Sequence, residues 1–228
     1  SLVEFGPGEG SLSKDLIEAI YEIAPALISK IELVLVEINI GMRQRQEKVV
    51  NNIKGVHCRW TNLEEISLKP VTGVVIANEV LDAFPVERLV FKDKKVFRQG
   101  VSLKKIKEEY YLEFVDLNVT SAIDQFLKDS QNLLKIEFPP RGICNGWVSE
   151  WHCDVPIWFE KLSKALKNGS LLIVDYALES KRYYNAMRKD GTLIAYKDQE
   201  ANPNLLKDAG LCDLTAHLCI ESTINYAI

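Results

Sequence analysis

The sequence lacks the residue patterns that mark metal-binding and disulfide-rich proteins. Its 228 residues include 3 His and 5 Cys. The cysteines form no CxxC pair and have no His at zinc-ligand spacing, so we expect no metal site. Their odd number and scattered positions indicate reduced thiols in an intracellular compartment. The five are Cys58, Cys144, Cys153, Cys212 and Cys219.

Long apolar runs and a basic charge balance are also absent. The longest apolar stretches, near residues 31–38 and 171–178, are too short for a transmembrane helix. The formal net charge of −4 gives no general attraction to nucleic acid or to anionic lipid. With 47% hydrophobic residues, the chain can bury a substantial core. These features predict a globular protein without a membrane span.

Short apolar strands alternate with amphipathic helices along most of the chain. Strands are predicted at residues 2–5, 31–36, 55–58, 73–77 and 170–176, and helices from Ser11 and over about 42–50, 121–134, 155–166 and 220–228. This alternation predicts an α/β fold with a doubly wound, mostly parallel, Rossmann-like sheet. Asn168 and Gly169 are expected to cap the helix that precedes the last of these strands.

Two regions depart from that pattern. Residues 86–117 alternate between apolar and polar side chains, which predicts an antiparallel β insertion. We therefore divide the chain into segments 1–85, 86–118 and 119–228 within one domain. Residues 177–211 are polar and turn-rich, which predicts a long surface loop on the substrate side. Because Ser1 directly precedes an apolar strand and the last helical run ends without a cap, we expect both termini to be truncated.

The first predicted strand and helix are joined by an ExGxGxG motif that starts at Glu4. Its glycines, Gly6, Gly8 and Gly10, let the backbone approach a ligand closely. The helix N-terminus offers unpaired amides and a positive dipole to an anion, which in S-adenosylmethionine would be the methionine carboxylate. The dinucleotide pattern GxGxxG would need a glycine where Ser11 stands, so a nicotinamide cofactor is disfavoured. A tight turn without a ligand remains the alternative.

An acidic residue, Glu37, ends the second predicted strand. An acid in this position can accept both ribose hydroxyls of a nucleoside cofactor, although a solvated strand end would look the same in sequence. Its occurrence together with the glycine motif favours the cofactor interpretation. Thr61, Asn62 and Leu63 follow the third strand, and we expect them to edge the adenine pocket. Asn78, after the fourth strand, completes the predicted cofactor contacts.

The segments VEFGPGEGSLSKDLI, VEIN, VIANEVLDAFPVERLVF, LLIVDYA, GTLIAYKDQ and DLTAH occur together and in this order. Because of these segments, the chain resembles the MidA-like methyltransferase family, whose mitochondrial member is an assembly factor of respiratory complex I. The resemblance covers residues 2–217. The resemblance implies a class I methyltransferase fold and methylation of an arginine on a complex I subunit. It also implies the mitochondrial matrix for a eukaryotic chain and the cytoplasm for a bacterial one. Ala177 departs from the glycine usual in the family, which leaves substrate capture open.

Polar side chains follow the fourth predicted strand, beside the expected cofactor crevice. Asn78, Glu79 and Asp82 are the first candidates for substrate contacts, because carboxylates can grip a guanidinium and disperse its charge. Glu79 is the preferred acid. The alternative is that Asn78 caps a short helix and that the two acids are surface charges. Nucleic-acid amino methyltransferases have two prolines and an aromatic ring after the equivalent Asn or Asp, whereas Glu-Val-Leu follows here, so we expect no nucleic-acid substrate.

Two further residues are weaker candidates. Glu150 lies in the segment GWVSEWH, where aromatic neighbours can desolvate its carboxylate. It is either a second guanidinium clamp or the structural partner of another side chain. His217 could orient the substrate or carry a proton, but a lone His is more often structural.

The sequence leaves three functions open. The first is a protein arginine methyltransferase that acts on a protein such as a complex I subunit. The second is a methyltransferase for a small molecule, and the third is an S-adenosylmethionine-binding assembly factor without catalytic activity. A homodimer is left open.

Overall fold

The structure, a computed structural model, describes residues 1–53 and 55–228. It groups them into two compact units. The first unit comprises Ser1–Val80 and Ile157–Asp175, and the second comprises Leu81–Pro156 and Tyr176–Ile228. Each unit is built around a β-sheet of its own.

The first unit holds a five-stranded, entirely parallel sheet in the order β3-β2-β1-β4-β9. Its elements are β1 (Leu2–Phe5), α1 (Ser11–Ile23), α2 (Pro25–Ile28), β2 (Glu32–Val36), α3 (Ile40–Val50), β3 (His57–Thr61), α4 (Leu63–Leu68), β4 (Val71–Asn78), most of α6 (Val155–Ala165) and β9 (Leu166–Val174). Strand order reverses beside β1, which has β2 on one side and β4 on the other. The predicted doubly wound α/β fold is confirmed. In such sheets, ligands bind beyond the carboxyl ends of the strands at this reversal.

The central strands are buried because they are continuous apolar runs. In β2, Leu33, Val34 and Leu35 are completely buried, as is Val3 in β1. Strands of a parallel sheet are usually covered on both faces, so apolar residues occupy consecutive positions and do not alternate with polar ones. Leu33 and Leu35 pack with Ile17 of α1, so one helix layer is fixed directly against the sheet.

Two predicted boundaries in this unit were wrong. The third strand lies at His57–Thr61 rather than at residues 55–58, since an edge strand with exposed and half-buried residues gives a weak apolar signal. Helix α6 ends at Ala165, and β9 follows without a loop. Gly169 is therefore a strand residue and not a helix cap. A Cβ at Gly169 would lie 1.7 Å from the carbonyl oxygen of Gly73, so glycine is needed here for close strand approach.

The second unit contains the predicted antiparallel insertion. Strands β5 (Glu87–Lys92), β6 (Lys95–Ile106) and β7 (Glu109–Leu117) pair in sequence, and β8 (Trp147–Trp151) extends the sheet beside β5. The sequence did not predict β8. Its side chains are almost all buried, so they show no alternation of polar and apolar residues.

The predicted surface loop at 177–211 is interrupted by short elements. The elements inside this segment are β10 (Ala177–Leu178), α7 (Ser180–Tyr183), β11 (Ile194–Lys197) and β12 (Glu200–Asn202). The second unit also contains α5 (Ser121–Leu134), β13 (Asp213–Thr215), β14 (Leu218–Cys219) and α8 (Ile220–Ala227). Elements of two to four residues are too short for periodicity to reveal. Tyr183 and Tyr184, within and after α7, pack around Trp147 in the core of this unit.

Helices of membrane-spanning length and metal-ligating clusters are both absent from the part of the chain that the structure describes. None of its helices is long and apolar enough to cross a membrane. No group of three or more His, Cys, Asp or Glu residues among the described residues is arranged to hold a metal ion. All five cysteines are free thiols.

Acidification should destabilise the second unit through His152. Burial lowers the pKa of His152 from its usual 6.5 to about 4, although a hydrogen bond to the Ala216 backbone opposes the shift. Between these values the unfolded chain binds a proton that the folded chain does not. The stabilisation by neutral His152 is therefore complete above pH 6.5 and lost as the pH falls towards 4, by about 3 kcal/mol in total.

Urea unfolding at several pH values would measure this effect. His152→Gln removes the titrating group, so its free energy of unfolding should fall less on acidification than that of the wild type. Other groups titrate in both proteins, so the difference between the two isolates His152. Parallel pH profiles would contradict the prediction.

Candidate functional site

The glycine motif forms the turn between β1 and α1, at the carboxyl end of the central strand. Gly6, Gly8 and Gly10 have φ angles of +56°, +53° and +88°, a left-handed conformation that strains other residues. The Gly6 amide donates to the carbonyl of Val36 at 3.1 Å, which fixes the turn to the end of β2. A Cβ at Gly8 would meet no atom within 4 Å, so the space beside this residue is open. The turn leaves room for a ligand at Gly8.

Gly10 has a different role from Gly8. A Cβ at Gly10 would lie 3.2 Å from Val50 Cγ2 and 3.7 Å from Gln46 Cγ, so this glycine lets α3 pack closely against the turn. Gly10 is also the N-cap of α1 and provides no side-chain cap.

Glu4 supplies the side-chain hydrogen-bond acceptor that the N-terminus of α1 lacks. Its carboxylate is buried and accepts a hydrogen bond from the hydroxyl of Ser13 in the first turn of the helix. Burial raises the pKa of Glu4, while hydrogen bonds from the Ser13 side chain and backbone lower it in part. Glu4 thus acts within the protein, as a support for the start of α1. As the first residue of the ExGxGxG motif, Glu4 stays a predicted cofactor contact, and its carboxylate accepts from Ser13.

Glu37 lies directly after β2 with a held, half-buried carboxylate. Oε1 accepts a hydrogen bond from the Asn39 amide at 2.7 Å, and Oε2 accepts one from Gln46 Nε2 at 3.1 Å. Each oxygen keeps a further lone pair for another donor. Asn39 also caps α3, because its side chain accepts from the backbone amides of the next helical turn. The carboxylate can therefore accept two vicinal hydroxyls without rearranging.

Gln46 was not singled out in the sequence. Its side chain is completely buried on α3 and donates to the Gly8 carbonyl at 2.8 Å as well as to Glu37. Its Oε1 accepts from Trp60 Nε1 at 2.8 Å. The sequence held one signal for it, since Gln46 lies four residues before buried Val50 and therefore on the inward face of the helix.

The three residues predicted to edge an adenine pocket lie beside Glu37. The Thr61 carbonyl accepts from the Glu37 amide at 3.3 Å, because the end of β3 pairs with the end of β2. The hydroxyl of buried Thr61 donates to Glu65, and the Asn62 side chain caps α4 by accepting from the Glu65 amide. Leu63 begins α4 and is half-buried. The Thr61 hydroxyl and the Asn62 side-chain oxygen are engaged within the protein, so a ligand here would meet the Asn62 side-chain nitrogen, the backbone and Leu63.

Asn78 and Glu79 lie at the carboxyl end of β4, next to β1 in the sheet, and both are exposed. Glu79 has a φ of +49°, a conformation that costs a side-chain-bearing residue energy and is often found at functional sites. Its amide donates to the Val174 carbonyl at 2.8 Å. The following amide, of Val80, donates to the Asp175 carboxylate at 3.3 Å. Asp175 thus supports this chain reversal, a role that its place after the last strand could have suggested.

The other three candidate residues belong to the second unit. Asp82 is buried, and its carbonyl accepts from the amide of Ala216 at 2.9 Å. His217 is half-buried with its ring centroid 6.1 Å from that of Tyr176. Asp82 lies four residues after the end of β4, and His217 ends the DLTAH segment; both stay predicted site residues.

Glu150 is fully buried and holds a guanidinium of its own chain. Arg88 Nε lies 3.4 Å from Glu150 Oε1, while the amide and hydroxyl of Thr192 donate to Oε2 at 2.8 and 3.2 Å. Burial raises the pKa of the Glu150 carboxyl, and Thr192 and Arg88 lower it in part. The two residues face each other across β5 and β8. This geometry favours the structural alternative over a clamp for a substrate guanidinium.

Substitution of Gly191 should test how rigid this buried pair is. A Cβ at Gly191 would lie 2.0 Å from Glu150 Oε1, and φ is +74°. The carboxylate cannot move without losing Arg88 or Thr192, so Gly191→Ala should lower the free energy of unfolding by about 2–4 kcal/mol. Gly142→Ala is the matched control, since φ is +81° and nothing lies within 4 Å; it should cost about 1 kcal/mol. Equal losses in urea unfolding would contradict the prediction.

The sequence matches a family of methyltransferases over almost its whole length. Residues 1–227 match Methyltransf_28, described as "Putative S-adenosyl-L-methionine-dependent methyltransferase". The chain belongs to this family. The predicted resemblance to the MidA-like methyltransferases is thereby confirmed. No curated protein matched the sequence.

Two solved structures of proteins from Burkholderia thailandensis are similar to this family member. One was crystallised with S-adenosyl-homocysteine and matches with a TM-score of 0.80 and 24% identity, over 99% of this chain and 54% of that one. The other is an uncharacterised protein, and both are described as members of the COG1565 superfamily. It matches with a TM-score of 0.78 and 25% identity, over 99% of this chain and 56% of that one. The chain thus spans about half the length of the solved structures that it matches. The likeness supports the fold assignment.

Proposed function

We propose that this protein binds S-adenosylmethionine and transfers its methyl group to an arginine side chain of a protein, such as a subunit of respiratory complex I. The observation that carries the proposal is the edge of the first sheet. There the Gly6–Gly8 turn, the held carboxylate of Glu37 and the exposed pair Asn78 and Glu79 follow the adjacent strands β1, β2 and β4. Family membership and the S-adenosyl-homocysteine bound to a similar structure agree with it.

The residues present fit this cofactor. The open space beside Gly8 admits the amino-acid end, and the start of α1 offers amides to its carboxylate. Glu37 keeps lone pairs for the two ribose hydroxyls. The backbone from Thr61 to Leu63 runs beside Glu37 and would edge the adenine. When bound, S-adenosylmethionine supplies an electrophilic methyl group on a sulfonium.

The protein's part in the reaction is chiefly alignment. A guanidinium nitrogen forms a bond to the methyl carbon as the carbon–sulfur bond breaks, and the nitrogen loses a proton to solvent or a nearby base. The bonding electron pair would stay with the sulfur, so S-adenosyl-homocysteine would be the leaving group. Placing the nucleophile in line is the main requirement. Glu79 would hold the cationic side chain by a charge-assisted hydrogen bond and orient its nitrogen.

Arginine is favoured by an acid that remains exposed at this edge. The Glu79 side chain is exposed, whereas the Glu150 carboxylate is already paired with Arg88. We therefore assign the substrate guanidinium to Glu79 alone, with Asn78 as a neutral hydrogen-bonding neighbour. The family resemblance to a complex I assembly factor supports a protein substrate.

Two measurements test this proposal in order. Calorimetric titration with S-adenosylmethionine and S-adenosyl-homocysteine should give saturable binding, and absence of binding would overturn the cofactor assignment. Transfer of a labelled methyl group to purified complex I subunits, followed by mass spectrometry, should then locate methylarginine. Binding without transfer to any protein would favour a non-catalytic assembly factor, and transfer to metabolites alone would favour a small-molecule substrate.

A further inference from the structure

The two parts of the proposed cofactor site that come from different loops are joined by one side chain. Gln46 Nε2 donates both to the Gly8 carbonyl at 2.8 Å and to Glu37 Oε2 at 3.1 Å. The first partner lies in the turn after β1, and the second lies after β2. No backbone hydrogen bond is needed to connect Gly8 to Glu37, because this amide bridges them.

The orientation of the Gln46 amide is fixed by its partners. Trp60 Nε1 can only donate, and it meets Gln46 Oε1 at 2.8 Å. The Gly8 carbonyl and the Glu37 carboxylate can only accept. Exchanging the oxygen and nitrogen of the amide would therefore break all three hydrogen bonds. With both amide protons and its oxygen engaged, completely buried Gln46 has one orientation.

We infer that Gln46 is a positioning residue that orients the Glu37 carboxylate towards the ribose and holds the Gly8 turn at the matching distance. The inference rests on the proposed function. Gln46 Cα lies 3.8 Å from the place of a Cβ at Gly10, so α3 is packed against the glycine turn at Gln46. Gln46 itself contacts no ligand in this assignment.

Ribose selectivity separates this role from a merely structural one. The test compares affinities for S-adenosyl-homocysteine and for its 2′-deoxyribose analogue, by calorimetry on the whole protein. The wild type should prefer the full ribose by about tenfold, the usual effect of one hydrogen bond to a charged group. Gln46→Leu should lose most of this preference, because Glu37 Oε2 loses its Gln46 partner and only the Asn39 amide then holds the carboxylate. Simple destabilisation of the protein would weaken the binding of both ligands equally and preserve the ratio of their affinities.

Two further proteins serve as controls. Ile28→Ala removes a buried side chain from the core cluster that also contains Leu33 and Val50, away from the site. It should therefore keep the wild-type ratio of the two affinities. The double variant Gln46→Leu with Glu37→Gln should show no greater loss of preference than Glu37→Gln alone, because both changes act on one interaction. Additive losses in the double variant would overturn the inference.

A second variant serves if Gln46→Leu does not fold. Gln46→Glu keeps the shape and places a carboxyl against Glu37, so only its protonated form can donate to that carboxylate. Its preference for the full ribose should approach the wild-type value near about pH 5 and decline towards about pH 8, beyond any change in the wild type. A wild-type preference at both pH values would overturn the inference and leave the proposed function intact. Failure of the wild type to bind S-adenosyl-homocysteine would overturn both.

Discussion

Glu79→Gln is expected to lower methyl transfer to a verified arginine substrate on the order of a hundredfold or more, as does loss of one charged transition-state contact. The change keeps the shape of the side chain and removes the charge that would hold the guanidinium. Affinity for S-adenosylmethionine should barely change, because Glu37 and the glycine turn hold the cofactor in this assignment. Single-turnover kinetics and calorimetry would measure the two effects separately.

Backbone strain at Glu79 requires a matched control. Asp93 is also an exposed acid at a positive φ, +49°, in the turn between β5 and β6. Asp93→Asn repeats the loss of charge at such a position and should leave turnover unchanged. Wild-type turnover by Glu79→Gln would refute its role, while equal losses of turnover and cofactor affinity would place Glu79 in the cofactor site instead.

The architecture of the first unit was predictable because its signals are local. Continuous apolar runs marked β1, β2 and β4, and the order of strands and helices then required a parallel sheet. Edge strand β3 was displaced by several residues in the prediction, since Arg59 and its neighbours are only half-buried there. Burial on both faces leaves a clear pattern in sequence, and an edge does not.

The strand-end residues of the site were predictable from topology. Glu37 and Glu79 each follow a strand directly, and Gly8 lies in the turn after β1. Parallel strands carry their carboxyl ends to one edge. Gln46 could not be found in this way. Its partners Gly8 and Trp60 lie 38 and 14 residues away, and only the packing of α3 against the sheet brings them together.

Glu150 shows what a missed strand conceals. The aromatic residues around it correctly suggested a desolvated carboxylate, but β8 was not recognised as a strand. Without β8 there was no register, and without register Arg88 could not be placed opposite Glu150. The pairing decides whether this acid is available to a substrate, because a buried carboxylate that already holds one guanidinium would leave that charge unpaired if it turned to another.

Gly8→Val is expected to reduce affinity for S-adenosylmethionine on the order of a hundredfold or more, since branched carbon atoms would fill the open space beside the turn. The Gly8 carbonyl is also held by Gln46, so the turn cannot move aside without losing that hydrogen bond. The substituted chain should still fold, because no atom lies within 4 Å of the new Cβ. Calorimetry would measure affinity, and urea unfolding would measure stability.

The loss of affinity must be separated from the strain of valine in a left-handed conformation. Gly210 has a φ of +85° and likewise has nothing within 4 Å of a built Cβ, so Gly210→Val carries a comparable backbone cost outside the glycine turn. That cost is about 1–2 kcal/mol in the free energy of unfolding and should be similar in both variants. If Gly8→Val binds S-adenosylmethionine as tightly as Gly210→Val does, the ligand does not approach the backbone at Gly8, and the glycine turn serves only to connect β1 to α1.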